Sequence, residues 1–225
     1  MNIPLNIGKD AAISVTLSEV LEDPARHLVT GTDPALGIGQ LAPRGAGSAV
    51  TGVPVVLLLL RGTLNLTVAG EASALVAEQS ALRVNAGVAL AWEADASCAL
   101  VVISHPALAG QEALSRINLA TVMSPSASPP PSVLLTDAPQ CKSAVLQEAS
   151  GLTFGLWEAT PYARRGIVMG FSEVMYLLEG QVTLSTPDGT GFDFAAGDVL
   201  LAPEGVELAW ESAETVRKFF LSVNR

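Results

Sequence analysis

The chain has 225 residues, of which 49% are hydrophobic and 15% charged, and its formal net charge is −10. This composition is typical of a globular protein, and the length suits two domains of roughly a hundred residues that each bury a core. The negative charge argues against nucleic acid and anionic membrane surfaces as partners, because both require clusters of Lys and Arg.

Nothing near the N-terminus predicts a signal peptide, because residues 1–12 lack a basic segment followed by an apolar stretch. The longest strongly apolar run, 53–60, is too short to cross a membrane, which takes about 20 residues. Cys98 and Cys141 lie far apart and in no metal-type spacing. We therefore expect reduced thiols and a cytoplasmic protein.

Short strands and tight turns are predicted in both halves of the chain. In the first half, strands at 55–60 and 63–68 flank a glycine, and in the second half strands at 174–178 and 181–186 flank another. The segment 187–191 predicts a hairpin turn, because its Pro fixes φ and its Gly allows positive φ. Strands of about 4–8 residues at roughly ten-residue spacing indicate a β-sandwich or barrel.

The two halves repeat one another. Residues 36–104 align without a gap onto residues 154–222, an offset of 118 positions, and 18 of the 69 aligned pairs are identical. The longest matching block sets 87–93 against 205–211. A repeat of this length indicates duplication of a whole domain. The second copy therefore acts as a control for the first, since polar residues present in only one copy are candidates for function.

The repeat also sets the predicted domain boundaries. The N-terminal domain is expected at 1–105 and the C-terminal domain at 140–225. Between them, 106–139 is predicted to be a linker, because its Pro- and Ser-rich stretch 124–131 is typical of an extended, semi-rigid segment.

The C-terminal copy carries two short motifs of Glu, Gly and Pro residues at fixed spacing. The pattern Gly-x5-Pro-x-Gly-x2-Leu over residues 197–208 resembles the second cupin motif, whose last position is normally a metal-binding His. The pattern Glu-x6-Gly over 173–180 resembles the end of the first motif, where the Glu is a metal ligand. Further stretches are similar to the subgroup that includes (S)-ureidoglycine aminohydrolase and the ethanolamine-utilization protein Q: 155–161, 197–198, 210–211 and 216–219.

This resemblance implies an all-β fold of two tandem cupin barrels, which are antiparallel jelly rolls. The resemblance covers almost the whole C-terminal copy, whereas the N-terminal copy joins it only through the internal repeat. A two-barrel chain of this kind is a bicupin.

Most of the metal ligands that the resemblance implies are missing. A metal-dependent cupin brings three His and one Glu to one divalent ion, because such an ion needs several N and O ligands in fixed geometry. Here the first-motif His positions fall among 166–169 and the second-motif His position is Leu208, so only Glu173 remains. The two histidines, His27 and His105, lie outside both motifs. We therefore expect no metal and no other cofactor.

Comparison of the copies selects candidate site residues in the C-terminal domain. Glu173 stands opposite Val55 in the alignment, and Lys218 stands opposite Leu100. Trp210 recurs as Trp92, which favours a packing role for both rings. Glu173 is the candidate catalytic residue. The candidate ligand-binding residues are Trp157, Tyr162, Arg164, Arg165, Met175, Leu208, Trp210 and Lys218.

Strand alternation gives a partial orientation for these side chains. It places Glu173, Met175 and Leu177 on one face, and in cupins the Glu position points inward. At most one of the adjacent arginines at 164–165 can face the same way. At 217–218 the alternation leaves open whether Arg or Lys faces inward. A carboxylate inside an apolar barrel needs a neighbouring cation, which one of these basic residues would supply.

Three functions are compatible with these residues. The first is a metal-free binder of a small polar metabolite, with a sensing or accessory role. The second is an enzyme, hydrolase-like or isomerase-like, in which Glu173 acts as acid or base. The third is a structural protein that forms a homodimer and binds no ligand. In the enzyme, Glu173 and its neighbouring cation would be catalytic groups. In the structural protein, they would be an ion pair left from a metal-binding ancestor.

Overall fold

The computed structural model describes residues 5–7, 15–30, 33–68, 74–76 and 80–224. Within these ranges the chain is predominantly antiparallel β-structure, which confirms the predicted all-β class. No helix among the described residues is long and apolar enough to cross a membrane. The chain divides into two compact units, one formed by Ile7–Leu119 and the other by Ala120–Arg225 with the strand at Leu5–Asn6.

The N-terminal unit contains two short helices and ten strands among its described residues. The helices are α1 (Leu17–Glu22) and α2 (Pro24–His27). The strands are β2 (Val29–Thr30), β3 (Gly37–Leu41), β4 (Gly45–Val50), β5 (Val55–Arg61), β6 (Leu64–Val68), β7 (Ala74–Val76), β8 (Ser80–Val84), β9 (Ala89–Ala94), β10 (Ala99–Ser104) and β11 (Leu114–Ile117). They form a six-stranded sheet in the order β11-β8-β5-β10-β3-β2 and a four-stranded sheet in the order β4-β9-β6-β7.

The C-terminal unit contains eleven described strands. They are β1 (Leu5–Asn6), β12 (Ser124–Ser126), β13 (Cys141–Ala149), β14 (Leu152–Ala159), β15 (Tyr162–Val168), β16 (Ser172–Glu179), β17 (Gln181–Ser185), β18 (Gly191–Ala195), β19 (Val199–Ala202), β20 (Glu207–Ser212) and β21 (Val216–Val223). Their sheets have the orders β1-β19-β16-β21-β14-β13-β12 and β15-β20-β17-β18. Each unit thus has the two-sheet antiparallel architecture of a jelly roll.

The predicted strand pairs and their turns are confirmed. β5 and β6 flank Gly62, and β16 and β17 flank Gly180, and both glycines have positive φ, +76° and +81°. The hairpin at 187–191 also forms, with the backbone N–H of Gly189 donating to the carbonyl of Thr186. The repeat therefore marks equivalent turns in the two units.

Segment 106–139, predicted to be a linker, is divided between the two units. It contains β11, which pairs with β8, and β12, which pairs with β13 at the edge of the seven-stranded sheet. It also contains 3-10 turns at Pro106–Leu108 and Pro131–Val133. The observed division at Leu119 therefore differs from the predicted boundaries at 105 and 140.

An apolar core fills the barrel of the N-terminal unit. Inward-facing side chains from β5, β8, β9 and β10 join helix α1 in one cluster that includes Val55, Leu57, Leu100 and Trp92, all at least 90% buried. Helix α1 is absent from the sequence-based expectations. It begins with a capping box, in which Thr16 Oγ1 accepts from the backbone of Glu19 and the Glu19 carboxylate accepts from the backbone of Thr16.

The buried free thiol of Cys98 lies in the apolar cluster of the N-terminal unit, and its burial raises its pKa to about 11.

The turn after β9 supplies a pH-dependent contribution to stability. Asp95 accepts hydrogen bonds from the side chain and backbone of Thr63 and of Ser97, and these hold the pKa of Asp95 well below its ordinary 3.8. Since the folded pKa is lower than the unfolded one, the contribution is complete above about pH 5 and is lost as pH falls below about 4. We expect the difference in melting temperature between wild type and Asp95→Asn to shrink between about pH 5 and about pH 2 in circular dichroism. A difference that stays constant over this range would contradict the assignment.

Candidate functional site

A small cavity opens on the inner face of the C-terminal barrel. Its volume is about 70 Å³, and its wall is formed by side chains from β14, β15, β16, β17, β20 and β21 and from the loop before β16. The lining residues are Trp157, Tyr162, Arg164, Met169, Glu173, Met175, Leu184, Leu208, Trp210 and Lys218.

A buried ion pair is the main polar feature of this cavity. Lys218 Nζ lies 2.8 Å from Glu173 Oε1 and 3.0 Å from Met175 Sδ. The two charged side chains are 9% and 10% exposed. They meet because β16 and β21 are hydrogen-bonded neighbours whose inner faces both point into the barrel. Lys218 therefore faces inward, while Arg217 lies on the other face, 3.6 Å from Glu179.

Aromatic rings surround the lysine ammonium. Lys218 Nζ lies 5.0 Å from the ring centroid of Trp157 and 5.6 Å from that of Trp210, both within range of a cation–π interaction. The two indoles meet edge to face at 5.7 Å, and Tyr162 stacks on Trp210 at 5.8 Å. Because the ring faces attract a cation, these contacts partly offset the cost of burying the ammonium among apolar side chains. Trp210, which recurs as Trp92, both packs and lines the cavity.

Arg164 is the second buried cation of the cavity. Its Nη1 donates to the carbonyls of Leu208 at 2.6 Å and Arg165 at 3.2 Å. The pairing of β15 with β20 shifts register between Arg164 and Ile167, so that the strand is irregular directly after the inward-facing arginine. Burial raises the pKa of Tyr162 to about 12, an effect that neighbouring Arg164 opposes. The phenol is therefore neutral at physiological pH.

The equivalent positions of the N-terminal barrel are apolar and packed. Val55, Leu57 and Leu100 occupy the positions of Glu173, Met175 and Lys218, and all three lie in the apolar cluster described above. The N-terminal unit does have a cavity of about 230 Å³, which the sequence comparison does not predict. It is lined by residues of α1 and α2, by the ends of β3 and β10 and by nearby loops, and none of the lining residues belongs to the apolar cluster.

The residues in the C-terminal cavity do not fit the divalent metal that the cupin resemblance implies. Leu208, at the second-motif His position, and Met169, in the 166–169 stretch that contains the first-motif His positions, both line the cavity. The remaining carboxylate, Glu173, accepts a hydrogen bond from the ammonium group of Lys218, a cation that would repel a metal ion at the same carboxylate. Among the described residues, no three His, Cys, Asp or Glu side chains lie close enough to hold a metal ion.

Most of the predicted site residues meet at this cavity. Arg165 is the exception among the candidates, because it is exposed on the opposite face of β15. The sequence comparison did not select two lining residues, Met169 and Leu184. Met169 lies in the 166–169 stretch of the first motif, which was a usable signal. Leu184 aligns with Leu66 in the repeat, and a residue shared by both copies is predicted to serve packing.

Comparison with protein families supports the architecture described above. Residues 146–220 match the family model described as an EutQ-like cupin domain. The C-terminal unit contains a cupin-like domain. No curated protein matches the chain significantly.

Solved structures with the same fold cover 84% or more of this chain. A protein of unknown function in the DUF861 family, from Pseudomonas syringae pv. tomato, is 24% identical, with a TM-score of 0.82 over 99% of this chain and 100% of that one. A cupin 2 conserved barrel domain protein from Leptotrichia buccalis is 12% identical, with a TM-score of 0.60 over 84% of this chain and 83% of that one. The Lactobacillus farciminis oxalate decarboxylase formate complex is 14% identical, with a TM-score of 0.53 over 100% of this chain and 86% of that one. At these identities the likeness establishes the cupin fold and not the reaction.

Proposed function

We propose that this chain is a bicupin whose C-terminal barrel binds a small polar metabolite beside Glu173 and Lys218, without a metal. One observation carries the proposal: a buried ion pair faces a cavity in one barrel, whereas its counterparts Val55 and Leu100 are packed in the other. Burying two charges is costly, and an apolar pair of similar volume often gives equal or greater stability. Since the fold accepts that apolar pair in its first copy, the charges of the second copy are best explained by a ligand.

The test is a thermal-shift screen of small polar metabolites against wild type and the double variant Glu173→Gln/Lys218→Met. A ligand at 100 times its Kd stabilises the folded state by about 2.7 kcal/mol, which raises the melting temperature by roughly 10–20 °C for a domain of about a hundred residues. We expect this shift in wild type and in the surface control Lys142→Gln, and not in the double variant.

Equal shifts in all three proteins would place binding elsewhere and contradict the proposal. A screen without hits in wild type would also contradict it. Elemental analysis of the purified protein tests the metal-free part, and a full equivalent of Mn, Fe, Zn or Ni would overturn that part.

An enzyme with Glu173 as acid or base is the second candidate. It is favoured by the second carboxylate oxygen of Glu173, Oε2, which accepts no hydrogen bond from the described residues and lies at the cavity wall. A ligand from the screen would then be converted by wild type and not by Glu173→Gln. Binding without turnover by wild type leaves the first candidate as the function.

A further inference from the structure

We infer that the ligand of the C-terminal cavity is a small carboxylate, held by Arg164 and Lys218. This inference rests on the proposed function and adds the charge and size of the metabolite. Its basis is the balance of charge in the cavity wall, a buried guanidinium that forms no ion pair with a carboxylate among the described residues, and the volume of the cavity.

The cavity wall carries a surplus of positive charge. Three of its residues are charged, the cations Arg164 and Lys218 and the anion Glu173, which gives a formal charge of +1. Tyr162 does not cancel this surplus, because its phenol is neutral at physiological pH. The surplus stands out in a chain whose net charge is −10. An unbalanced buried cation is costly, and an anionic ligand would remove that cost.

Arg164 provides the open binding group. It forms no ion pair with any carboxylate among the described residues, although only 8% of its surface is exposed. One of its nitrogens, Nη1, accounts for the hydrogen bonds to the two backbone carbonyls. A guanidinium has five N–H donors in a planar fork that suits a carboxylate. Burial lowers the pKa of Arg164, and the neighbouring Tyr162 and Glu173 oppose that effect only in part.

Lys218 is the second cation that can bind an anionic ligand in this cavity. Its ammonium has three donors, of which one contacts Glu173 at 2.8 Å and a second contacts the Met175 sulfur at 3.0 Å, leaving the third for a ligand. A carboxylate bound between the two cations would leave each of the three charged residues with an opposite charge nearby. A cationic ligand would instead meet two like charges, and a neutral ligand would leave the surplus unbalanced.

The size of the cavity limits the acid. Its volume of about 70 Å³ is several times the roughly 10–15 Å³ that one water molecule needs on the same measure, so it accepts a carboxylate group with a few further atoms. The indole surfaces of Trp157 and Trp210 would border the carbon end of such a molecule. Acids of two or three carbons are therefore the expected class.

The test is isothermal titration of the whole protein with acetate and glycolate, their neutral amides, and methylammonium, all at one ionic strength. We expect both carboxylates to bind at least tenfold more tightly than the matched amides, a difference of about 1.4 kcal/mol, and methylammonium not to bind. Tighter binding of an amide or of methylammonium would overturn the inference. In that case the proposed function stands if the hit is lost in Glu173→Gln/Lys218→Met.

Adjacent arginines give a matched pair of variants. Arg164→Gln is expected to weaken acetate binding at least tenfold, whereas Arg165→Gln, on the exposed face of the same strand, leaves it within twofold. Equal losses in both variants, or none in either, would overturn the inference. If Arg164→Gln does not fold, the ligand series on wild type decides the question by itself. Failure of every anionic, neutral and cationic ligand of this series to bind overturns the inference, whereas the proposed function is decided separately by the thermal-shift screen.

Discussion

Loss of either member of the buried ion pair is expected to lower the free energy of unfolding by about 3 kcal/mol or more, whereas loss of both costs far less. The single variants are Glu173→Val and Lys218→Leu, which introduce the residues that stand at these positions in the N-terminal barrel, Val55 and Leu100. Each leaves a charge that is about 90% buried without its partner. The double variant leaves neither charge, so its stability should lie within about 1 kcal/mol of wild type or above it.

The measurement is urea unfolding of the four proteins, with the coupling energy taken from the double-mutant cycle. Lys142→Gln provides the control, because Lys142 and Glu158 form a pair at 3.0 Å on the surface, with the lysine 50% exposed. That change should cost less than about 1 kcal/mol. Additive losses in the cycle would show that the two charged residues do not depend on each other.

The cycle also bears on function. A double variant as stable as wild type would mean that the pair contributes nothing to folding beyond what Val and Leu contribute at the same positions, and this result would favour a role of the pair in binding. A double variant less stable than both single variants would instead favour a structural role, which is the third function compatible with the sequence. The prediction therefore separates a binding barrel from a purely structural one without knowledge of the metabolite.

Much of the fold follows from the repeat, because turns and strand periods are local properties. The strands around Gly62 and Gly180 are flanked by residues with clear alternation, and positive φ at both turns leaves glycine as the favoured residue. The inward direction of Glu173 and Met175 follows from the same alternation. These features need no knowledge of long-range packing.

Other features depend on contacts that local sequence does not specify. Lys218 faces inward because β21 pairs with β16 in one register out of two, and strand alternation alone allows either. Strand β12 contains Pro125 in a stretch typical of a linker, yet it pairs at the edge of a sheet, where proline is tolerated. Helix α1 has only six residues, so periodicity is weak, although Thr16 and Glu19 give a capping-box signal.

Substitution of Gly180 by alanine is expected to be the more damaging of two matched glycine changes. Both Gly180 and Gly205 have positive φ, +81° and +80°, so a side chain at either strains the backbone by about 1–2 kcal/mol. A Cβ at Gly205 would meet no atom within 4 Å, whereas one at Gly180 would overlap the backbone carbonyl of Thr215. The backbone cannot move aside as a flexible side chain can. We therefore expect Gly180→Ala to lower the free energy of unfolding by at least about 3 kcal/mol, and Gly205→Ala to lower it by about 1–2 kcal/mol.

The same contrast is available in the N-terminal barrel, where Gly62 and Gly87 stand at the aligned positions. A Cβ at Gly62 would lie 2.7 Å from the backbone nitrogen of Cys98, whereas one at Gly87 would meet no atom within 4 Å. We therefore expect urea unfolding of the four alanine variants to give two pairs. The free energy of unfolding should be lower for the variants at Gly62 and Gly180 than for those at Gly87 and Gly205. Equal losses within the C-terminal pair would mean that φ alone sets the cost. The tight turn at Gly180 would then not constrain the end of β16, the strand that carries Glu173 into the cavity.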